Sequence, residues 1–238
     1  MHRLLVDFNW TDGAPVHLSA DASRHLRVLR PKKGEAVELF DGAGRWQECR
    51  WDGAALVASG ELHEAERPAE SLTLFACVTK GSRWDWTIEK ATELGVTRIV
   101  PVISERTIVR IPRAERAAKR ERWMRIAADA ARQSDAKWLP EIDCAVDFQD
   151  ALEIARGTTC FVGALTTPPP PPLASVVSNV VAGSSVSAFV GPEGDFSPSE
   201  LSALCEFAHP ASFGPTVLRA ETAAIFAVSV LVALCRHS

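Results

Sequence analysis

A glycine-rich turn at residues 191–194 is the strongest candidate for a ligand site in this sequence. An apolar strand pattern runs into Gly-Pro-Glu-Gly, and a helix then begins near Ser197, with Pro198 first and Glu200 three residues after the cap. This is a complete capping box. Glycines at the carboxyl end of a parallel strand let a ligand approach the backbone. Taken alone, however, the segment is equally compatible with a purely structural turn.

A second loop, at residues 212–223, carries two charged side chains into an apolar helix. Its sequence is SFGPTVLRAETA, so Gly214-Pro215 is followed by Arg219 and Glu221. Glu221 suits a helix N-terminus electrostatically. A lone arginine at the start of a buried helix calls for an anionic partner, from the protein or from a substrate. The two loops together make a functional reading stronger than either does alone.

Two clusters of basic residues stand out from a chain whose net charge is −4. The first lies between residues 22 and 34, where no acidic residue occurs, and the second has eight basic residues against two acidic ones over 106–125. A solvated helix face explains one such cluster as well as binding does. Two clusters in separate domains favour contact with an RNA or DNA backbone.

Several functional classes are excluded or disfavoured by what the sequence lacks. It has no P-loop, no HExxH motif and no close pair of cysteines, so we expect no metal site and six buried, reduced thiols. The first residues lack the pattern of a secretory signal, which predicts a cytoplasmic protein. The most apolar run, residues 223–235, is too short to span a bilayer.

The first 67 residues predict a small β-rich domain. Strands are expected at 4–8, 36–40, 45–51 and 54–62, with hairpin turns at Asp41-Gly42 and Asp52-Gly53. A helix is expected at 19–28, with Ser19 as its N-cap. A polar, proline-containing stretch at 63–70 then indicates a linker.

The remaining sequence alternates strands and helices, which predicts an α/β domain over residues 72–238. Strands are expected at 72–78, 98–103, 160–165 and 186–191, and helices at 82–94, 113–133, 197–207 and 221–235. This order favours a parallel sheet covered on both faces. The five prolines at 168–172 predict a stiff, extended surface connector.

The motifs resemble those of the ribosomal RNA small-subunit methyltransferase E family, in the SPOUT superfamily. The two loops, GPEG followed by DFS and FGPTVLRAETA, match the family's pair of cofactor loops. Further matching segments are HLRVLR at 25–30, FDG at 40–42, Lys80-Gly81, EKATELGV at 89–96, ERW at 121–123, Gln133-Ser134 and Pro140. The resemblance runs nearly from end to end.

The resemblance implies a fold and an activity. It implies a PUA-like β-barrel over 1–67 for RNA docking and a SPOUT methyltransferase domain over 72–238, with a C-terminal deep trefoil knot. It also implies S-adenosylmethionine as cofactor, a homodimer formed through the knot domain, and methylation of a uridine N3 in 16S rRNA of the small ribosomal subunit. The residues expected to bind the cofactor are Val190, Gly191, Pro192, Glu193, Gly194, Phe213, Gly214, Val217, Leu218 and Thr222.

Arg219 and Glu221 are the expected catalytic residues. Uridine N3 becomes a nucleophile only as its proton leaves, so the protein must stabilise a developing anion. We expect Arg219 to supply positive charge or to grip the target phosphate, and Glu221 to orient it, to relay the proton or merely to pair with Arg219. The residues expected to contact RNA are Arg24, His25, Arg27, Arg30, Lys32, Lys33, Arg83, Arg106, Arg110, Arg113, Arg116, Arg120, Gln133 and Lys137.

Three positions depart from the family pattern. Asp195 stands where a second glycine is usual, Ala220 where threonine is usual, and Lys137 near the usual place of an arginine. Lysine can replace arginine as a point charge but not as a bidentate donor.

Two alternatives remain open. A SPOUT enzyme that acts on another RNA position, such as a ribose 2′-hydroxyl, would be distinguished by mapping the methylated nucleotide. A catalytically silent RNA-binding or ribosome-assembly factor would fail to bind S-adenosylmethionine.

Overall fold

The computed structural model describes residues 1–7, 16–178, 180 and 183–235. The chain forms two compact units. The first consists of Met1–Arg67 together with Ala128–Leu139, and the second of Pro68–Ala127 together with Pro140–Ser238. None of the helices in the described ranges is long and apolar enough to cross a membrane.

The first unit is built on a four-stranded sheet with the order β1-β2-β3-β4. Its elements are β1 (His2–Leu5), α1 (Ala20–Leu29), β2 (Ala36–Phe40), β3 (Arg45–Trp51) and β4 (Leu56–Glu64). Strand β1 is parallel to β2, and the two hairpins β2–β3 and β3–β4 are antiparallel. The predicted turns at 41–42 and 52–53 join these hairpins. Ser19 caps α1 by accepting a hydrogen bond from Ala22 N–H, which confirms the predicted cap.

A buried ion-pair network holds the first unit together. The Arg3 guanidinium donates to Glu38 at 2.7 Å and also to the carbonyl oxygen of Ala131 at 2.6 Å. Lys137 Nζ reaches the same Glu38 oxygen at 2.7 Å. The side chains of Arg3 and Glu38 are each 7% exposed. A carboxylate buried this deeply needs its cations, because an unpaired charge away from water is costly.

The second unit is a seven-stranded parallel sheet with helices on both faces, which confirms the predicted α/β class. Along the main path its order is β11-β9-β10-β5-β6-β7, and β8 also pairs with β6. The elements are β5 (Leu72–Cys77), α2 (Ser82–Glu93), β6 (Arg98–Ile103), α3 (Arg113–Ser134, which contributes to both units), β7 (Glu141–Ile142), β8 (Val146–Asp147), α4 (Phe148–Ala155), β9 (Thr159–Gly163), α5 (Leu173–Val177), β10 (Val186–Val190), α6 (Pro198–Cys205), β11 (His209–Ala211) and α7 (Ala220–Cys235).

Alternate residues of the central strands enter two separate cores. In β5, Leu74 belongs to the core that includes residues of α2, α5 and α7, whereas Phe75 belongs to the core that includes residues of α4 and α6. The Phe75 ring stacks on Phe189 of β10, with ring centroids 4.4 Å apart. This alternation follows from the period of two along a strand and produces three layers.

The strand order brings three loops to one edge of the sheet. Strands β11, β9 and β10 are neighbours and parallel, so their carboxyl ends lie side by side. Gly163 at the end of β9 pairs with Ala211 at the end of β11. The chain segments that follow these three strands therefore start close together, although they are far apart in sequence.

Several sequence expectations were wrong in detail. The first strand, expected at 4–8, lies at His2–Leu5, and Phe8 is outside the described residues. The helix expected at 197–207 ends at Cys205. The six thiols are not all buried, since Cys205 is exposed and Cys144 is partly exposed. The strands β7, β8 and β11 were not expected, because two or three residues carry too little periodicity to read. The helices α4 and α5, of eight and five residues, were not expected either.

We expect Glu38→Gln to lower the free energy of unfolding by about 3 kcal/mol, because it removes the buried carboxylate that Arg3 and Lys137 share and leaves them only the exposed carboxylate of Asp135. Glu48→Gln is the matched control, since Glu48 pairs with Arg50 where both side chains are exposed. An exposed pair contributes about 1 kcal/mol or less. Chemical denaturation followed by circular dichroism measures both losses, and equal losses would contradict the prediction.

Candidate active site

A cavity of about 300 Å³ lies at the carboxyl ends of β9, β10 and β11. Three segments wall it: residues 163–165 after β9, residues 190–195 after β10, and residues 212–220 after β11. Its volume is that of a site for a small organic molecule. Such an edge is the usual ligand position in an open α/β sheet.

The cavity gathers most of the residues expected to bind a cofactor. Eight of the ten line it, namely Val190, Gly191, Pro192, Glu193, Phe213, Gly214, Val217 and Leu218. Arg219, expected to be catalytic, lines it as well. Gly194 and Thr222 are not part of its wall: the Gly194 carbonyl accepts a hydrogen bond from Arg106, and Thr222 lines a second cavity.

The wall formed by residues 163–165 was missed in the sequence. Gly163 ends β9, and a Cβ atom added there would come within 2.6 Å of the Phe213 ring. Only a glycine allows this close approach of Phe213 to the strand. The available signal for this wall was a glycine at the end of an apolar strand. That signal points to the cavity only once β9 is known to lie between β10 and β11. The other lining residues outside the prediction are Ala164, Leu165, Asp195, Ser212, Thr216, Ala220 and Ala223.

One buried carboxylate anchors the loop between β10 and α6. Glu200 Oε2 accepts a hydrogen bond from Ser197 N–H at 3.0 Å, and Ser197 Oγ accepts one from Glu200 N–H, so the predicted capping box is confirmed. Glu200 Oε1 also accepts the N–H of Glu105 at 2.8 Å. Glu200 therefore joins the start of α6 to the turn that follows β6.

Two arginines of the second basic cluster attach to the same region. Arg106 Nη1 donates to the carbonyl oxygen of Gly194 at 2.9 Å and to that of Phe196 at 3.5 Å. Arg110 donates to the carbonyl oxygens of Ser104 and Glu105. Both side chains were expected to contact RNA. In the structure they bond to the backbone of the turns that hold the cavity wall.

Asp195 occupies a left-handed backbone conformation, with φ at 58°. Asp is among the non-glycine residues that adopt this region most readily. Its Oδ1 accepts a hydrogen bond from Phe196 N–H at 2.8 Å, and its side chain lies beside Gly191, where an added Cβ would approach Oδ1 to 3.0 Å. The departure from glycine at this position is thus accommodated locally.

A second cavity, of about 430 Å³, lies where α2 and α7 begin. It is lined by Ser82, Arg83, Trp86, Arg219, Glu221 and Thr222, so Arg219 is shared with the first cavity. Arg219 and Glu221 do not form an ion pair, and the Arg219 guanidinium donates no hydrogen bond within the described ranges, whereas the Arg219 backbone carbonyl oxygen accepts one from Ala223 N–H at 2.8 Å. Glu221 Oε2 is buried and has no partner among the residues that the structure describes.

The first basic cluster lies on and after α1. Arg24 and Arg27 are exposed on the helix, Arg30 ends it with φ at 48°, and Lys32 and Lys33 follow in an exposed turn. Burial, with the charges of Arg132 and His2 nearby, lowers the pKa of His25. His25 therefore carries positive charge at neutral pH less readily than an ordinary histidine does.

The other residues expected to contact RNA differ in their exposure. Arg113 and Arg116 both donate to Asp147, and these hydrogen bonds, led by that of Arg116, lower the pKa of the Asp147 carboxyl. Arg120 donates to the Ile142 carbonyl oxygen. Gln133 is exposed. Lys137 is largely buried, where it bonds to Glu38 and Asp135 and lies over the Trp46 ring, 4.7 Å from its centroid.

Comparison with known proteins identifies the family. A family profile described as an RNA methyltransferase domain matches residues 65–232, and one described as an RNA methyltransferase PUA domain matches residues 18–50. The chain is 31% identical to ribosomal RNA small subunit methyltransferase E of Synechocystis sp., covering 98% of this chain and 78% of that protein. It is 32% identical to the Bacillus subtilis protein of the same name, covering 87% of this chain and 84% of that protein.

A solved structure agrees with these sequence matches. It is ribosomal RNA small subunit methyltransferase E from Neisseria gonorrhoeae bound to S-adenosylmethionine, which superposes with a TM-score of 0.84 at 29% identity and covers 98% of both chains. The resemblance seen in the motifs is confirmed. The chain belongs to the ribosomal RNA small subunit methyltransferase E family.

Proposed function

We propose that this protein transfers a methyl group from S-adenosylmethionine to N3 of a uridine in 16S rRNA of the small ribosomal subunit. The observation that carries the proposal is the first cavity, at the carboxyl edge of β9, β10 and β11, which unites the two loops of the family pattern. The names of the related proteins, and the S-adenosylmethionine bound to the Neisseria gonorrhoeae enzyme, support the same substrate and cofactor.

The residues of the first cavity suit this cofactor. Apolar side chains of Val190, Phe213 and Leu218 offer surfaces for an adenine ring. Carboxylates of Glu193 and Asp195 can accept hydrogen bonds from ribose hydroxyls or an amino group. Where Gly163 ends β9, the absence of a side chain leaves room for Phe213 to close the wall.

The chemistry asks the protein mainly to position and to stabilise charge. S-adenosylmethionine, when bound, supplies a methyl group that its sulfonium centre already activates. Arg219 lies at the boundary of the two cavities, where its charge offsets the negative charge that uracil gains as N3 loses its proton. Glu221, which also lines the second cavity, accepts that proton or orients the base.

The wider assembly is part of the same proposal. The exposed first basic cluster binds the RNA backbone, together with Arg83, Arg113 and Gln133. The remaining residues that were expected to contact RNA support this binding through the turns that they hold and the pairs that they form; they are Arg106, Arg110, Arg116, Arg120 and Lys137. The protein acts in the cytoplasm as a homodimer formed through its knotted C-terminal domain. The predicted domains are 1–67 and 72–238, except that residues 128–139 group with the first. Partly exposed apolar residues of α7, such as Leu234, support a partner surface on this helix.

We expect calorimetry to detect S-adenosylmethionine binding and Gly163→Ala to weaken it at least tenfold. The added Cβ would displace Phe213 from the cavity wall. Gly60→Ala is the control, because Gly60 lies in β4 and its added Cβ meets its nearest neighbour at 3.4 Å, an ordinary contact. No binding by the wild type would overturn the proposed function.

Arg106→Gln should also weaken S-adenosylmethionine binding without RNA, by about tenfold, the effect of losing one hydrogen bond from a charged group. Arg125→Gln removes the same charge from the same basic cluster, but among the residues that the structure describes Arg125 bonds only to the Glu121 carbonyl oxygen, within α3. Calorimetry on both variants separates a role in the cavity wall from a role in binding phosphate. Unchanged affinity for S-adenosylmethionine in Arg106→Gln would contradict a role for Arg106 in the cavity wall.

Mass-spectrometric mapping of methylated 30S subunits should place the new methyl group on N3 of one uridine. In single-turnover assays, Arg219→Ala should then slow methylation about 100-fold, the scale seen when one group that stabilises transition-state charge is removed. Full activity in Arg219→Ala would exclude the role proposed for this arginine. A methyl group on a ribose hydroxyl would favour the other SPOUT activity.

A further inference from the structure

We infer that the second cavity is an acceptor site for a uracil base and that Trp86 is the surface on which this base stacks. The inference deepens the proposed function and rests on it. It adds Trp86 to the substrate-binding residues, and it assigns Thr222 to the acceptor side, although the sequence pattern placed Thr222 with the cofactor.

The position of the second cavity suits an acceptor. Arg219 lines both cavities, so a base in the second lies next to the ligand of the first. Helices α2 and α7 pack together, and both begin at this cavity. The N-cap of α2 is Gly81, which has no side chain to accept a hydrogen bond from the first turn of the helix. First-turn residues of both helices line this cavity, and helix N-termini favour a base that becomes negative during the reaction.

Trp86 is the aromatic residue of α2 that is not used in the core. Trp84, two residues earlier, is 3% exposed and packs edge-on against Trp123, with ring centroids 5.7 Å apart. Trp86 is 40% exposed and lines the second cavity. Stacking of one base on an aromatic side chain contributes about 1–3 kcal/mol to single-stranded RNA binding. An exposed indole ring in the acceptor cavity gives a flipped-out base such a surface.

The charged residues of the cavity match the pairing edge of uracil. That edge presents an acceptor at O4, a donor at N3–H and an acceptor at O2. Arg83 and Arg219 can only donate hydrogen bonds, whereas the ionised carboxylate of Glu221 can only accept them. Cytosine would instead direct the lone pair of its N3 at the carboxylate, so the cavity favours uracil over cytosine.

Two contacts of these residues strengthen the assignment. The buried Oε2 of Glu221 has no hydrogen-bond partner among the described residues, and a buried polar atom of this kind needs a donor from elsewhere. Arg83 Nη1 pairs with Glu193 Oε1 at 3.0 Å, and Glu193 lines the first cavity. Arg83 has further N–H groups with which to reach a base, so the same side chain connects the two sites.

The test compares RNA segments that carry the mapped target position as uridine, cytidine or an abasic residue. Their affinities are measured by fluorescence anisotropy in the presence of S-adenosylhomocysteine. Wild-type protein should bind the uridine RNA about tenfold more tightly than the abasic RNA, as expected for one stacked base. Trp86→Leu should remove this preference, and Trp86→Phe should retain most of it.

The controls separate stacking from general effects. Trp51→Leu, in the first unit, should leave the ratio of uridine to abasic affinity unchanged. Trp86→Leu should bind S-adenosylmethionine with an affinity within twofold of the wild type, because Trp86 does not line the first cavity. If the wild type failed to bind the cofactor, the proposed function would fail. If it bound the cofactor and Trp86→Leu kept the full preference for uridine, only the present inference would fail.

A separate variant tests whether Glu221 recognises the hydrogen-bonding edge of the base. Glu221→Gln should narrow the preference of the protein for uridine over cytidine, because an amide can donate to the N3 of cytosine as well as accept from uracil. An unchanged preference over cytidine would show that Glu221 does not read the base.

Discussion

The buried carboxylate of Glu200, which does not itself line the first cavity, holds one wall of that cavity in place. Its two oxygens hold Ser197 N–H at the start of α6 and Glu105 N–H in the turn after β6. Arg106, next to Glu105, then bonds to the carbonyl oxygens of Gly194 and Phe196. The loop between β10 and α6 is thereby held both through the backbone N–H group of Ser197 and through the backbone carbonyl oxygens of Gly194 and Phe196. A preorganised wall binds a small ligand without first paying the entropy of ordering a loop.

In the second basic cluster several arginines also bond within the protein, so a count of local charge does not by itself show what each of them does. Arg106 and Arg110 are exposed, yet their donors bond to backbone carbonyl oxygens, and Arg116 bonds to Asp147. Arginine suits this work because its planar group offers five donors in a fixed geometry. The first cluster differs, since Lys32 and Lys33 lie in an exposed turn and keep their charge toward solvent. Charge that is not bonded to the protein is what a phosphate backbone can use.

The sequence could predict the features that depend on interactions between residues close together in the chain. The hairpin turn at Asp41-Gly42, the cap at Ser19 and the capping box of Glu200 each depend on residues within four positions, and all three are present. The wall formed by 163–165 could not be predicted, because it requires β9 to lie between β10 and β11, which is a long-range property. The grouping of residues 128–139 with Met1–Arg67 could not be predicted for the same reason. It depends on contacts between distant parts of the chain, such as the hydrogen bond from Arg3 to the Ala131 carbonyl oxygen across 128 positions.

The two cavities are linked by the same few side chains, which bears on how substrate and cofactor affect one another. Arg219 lines both, and Arg83 of the second is paired with Glu193 of the first. A ligand that draws Glu193 toward itself therefore alters the donors that Arg83 offers to a base, and a base that engages Arg83 alters Glu193 in return. Thermodynamic linkage makes this coupling equal in both directions. The geometry thus favours an enzyme in which cofactor and uridine change each other's affinity.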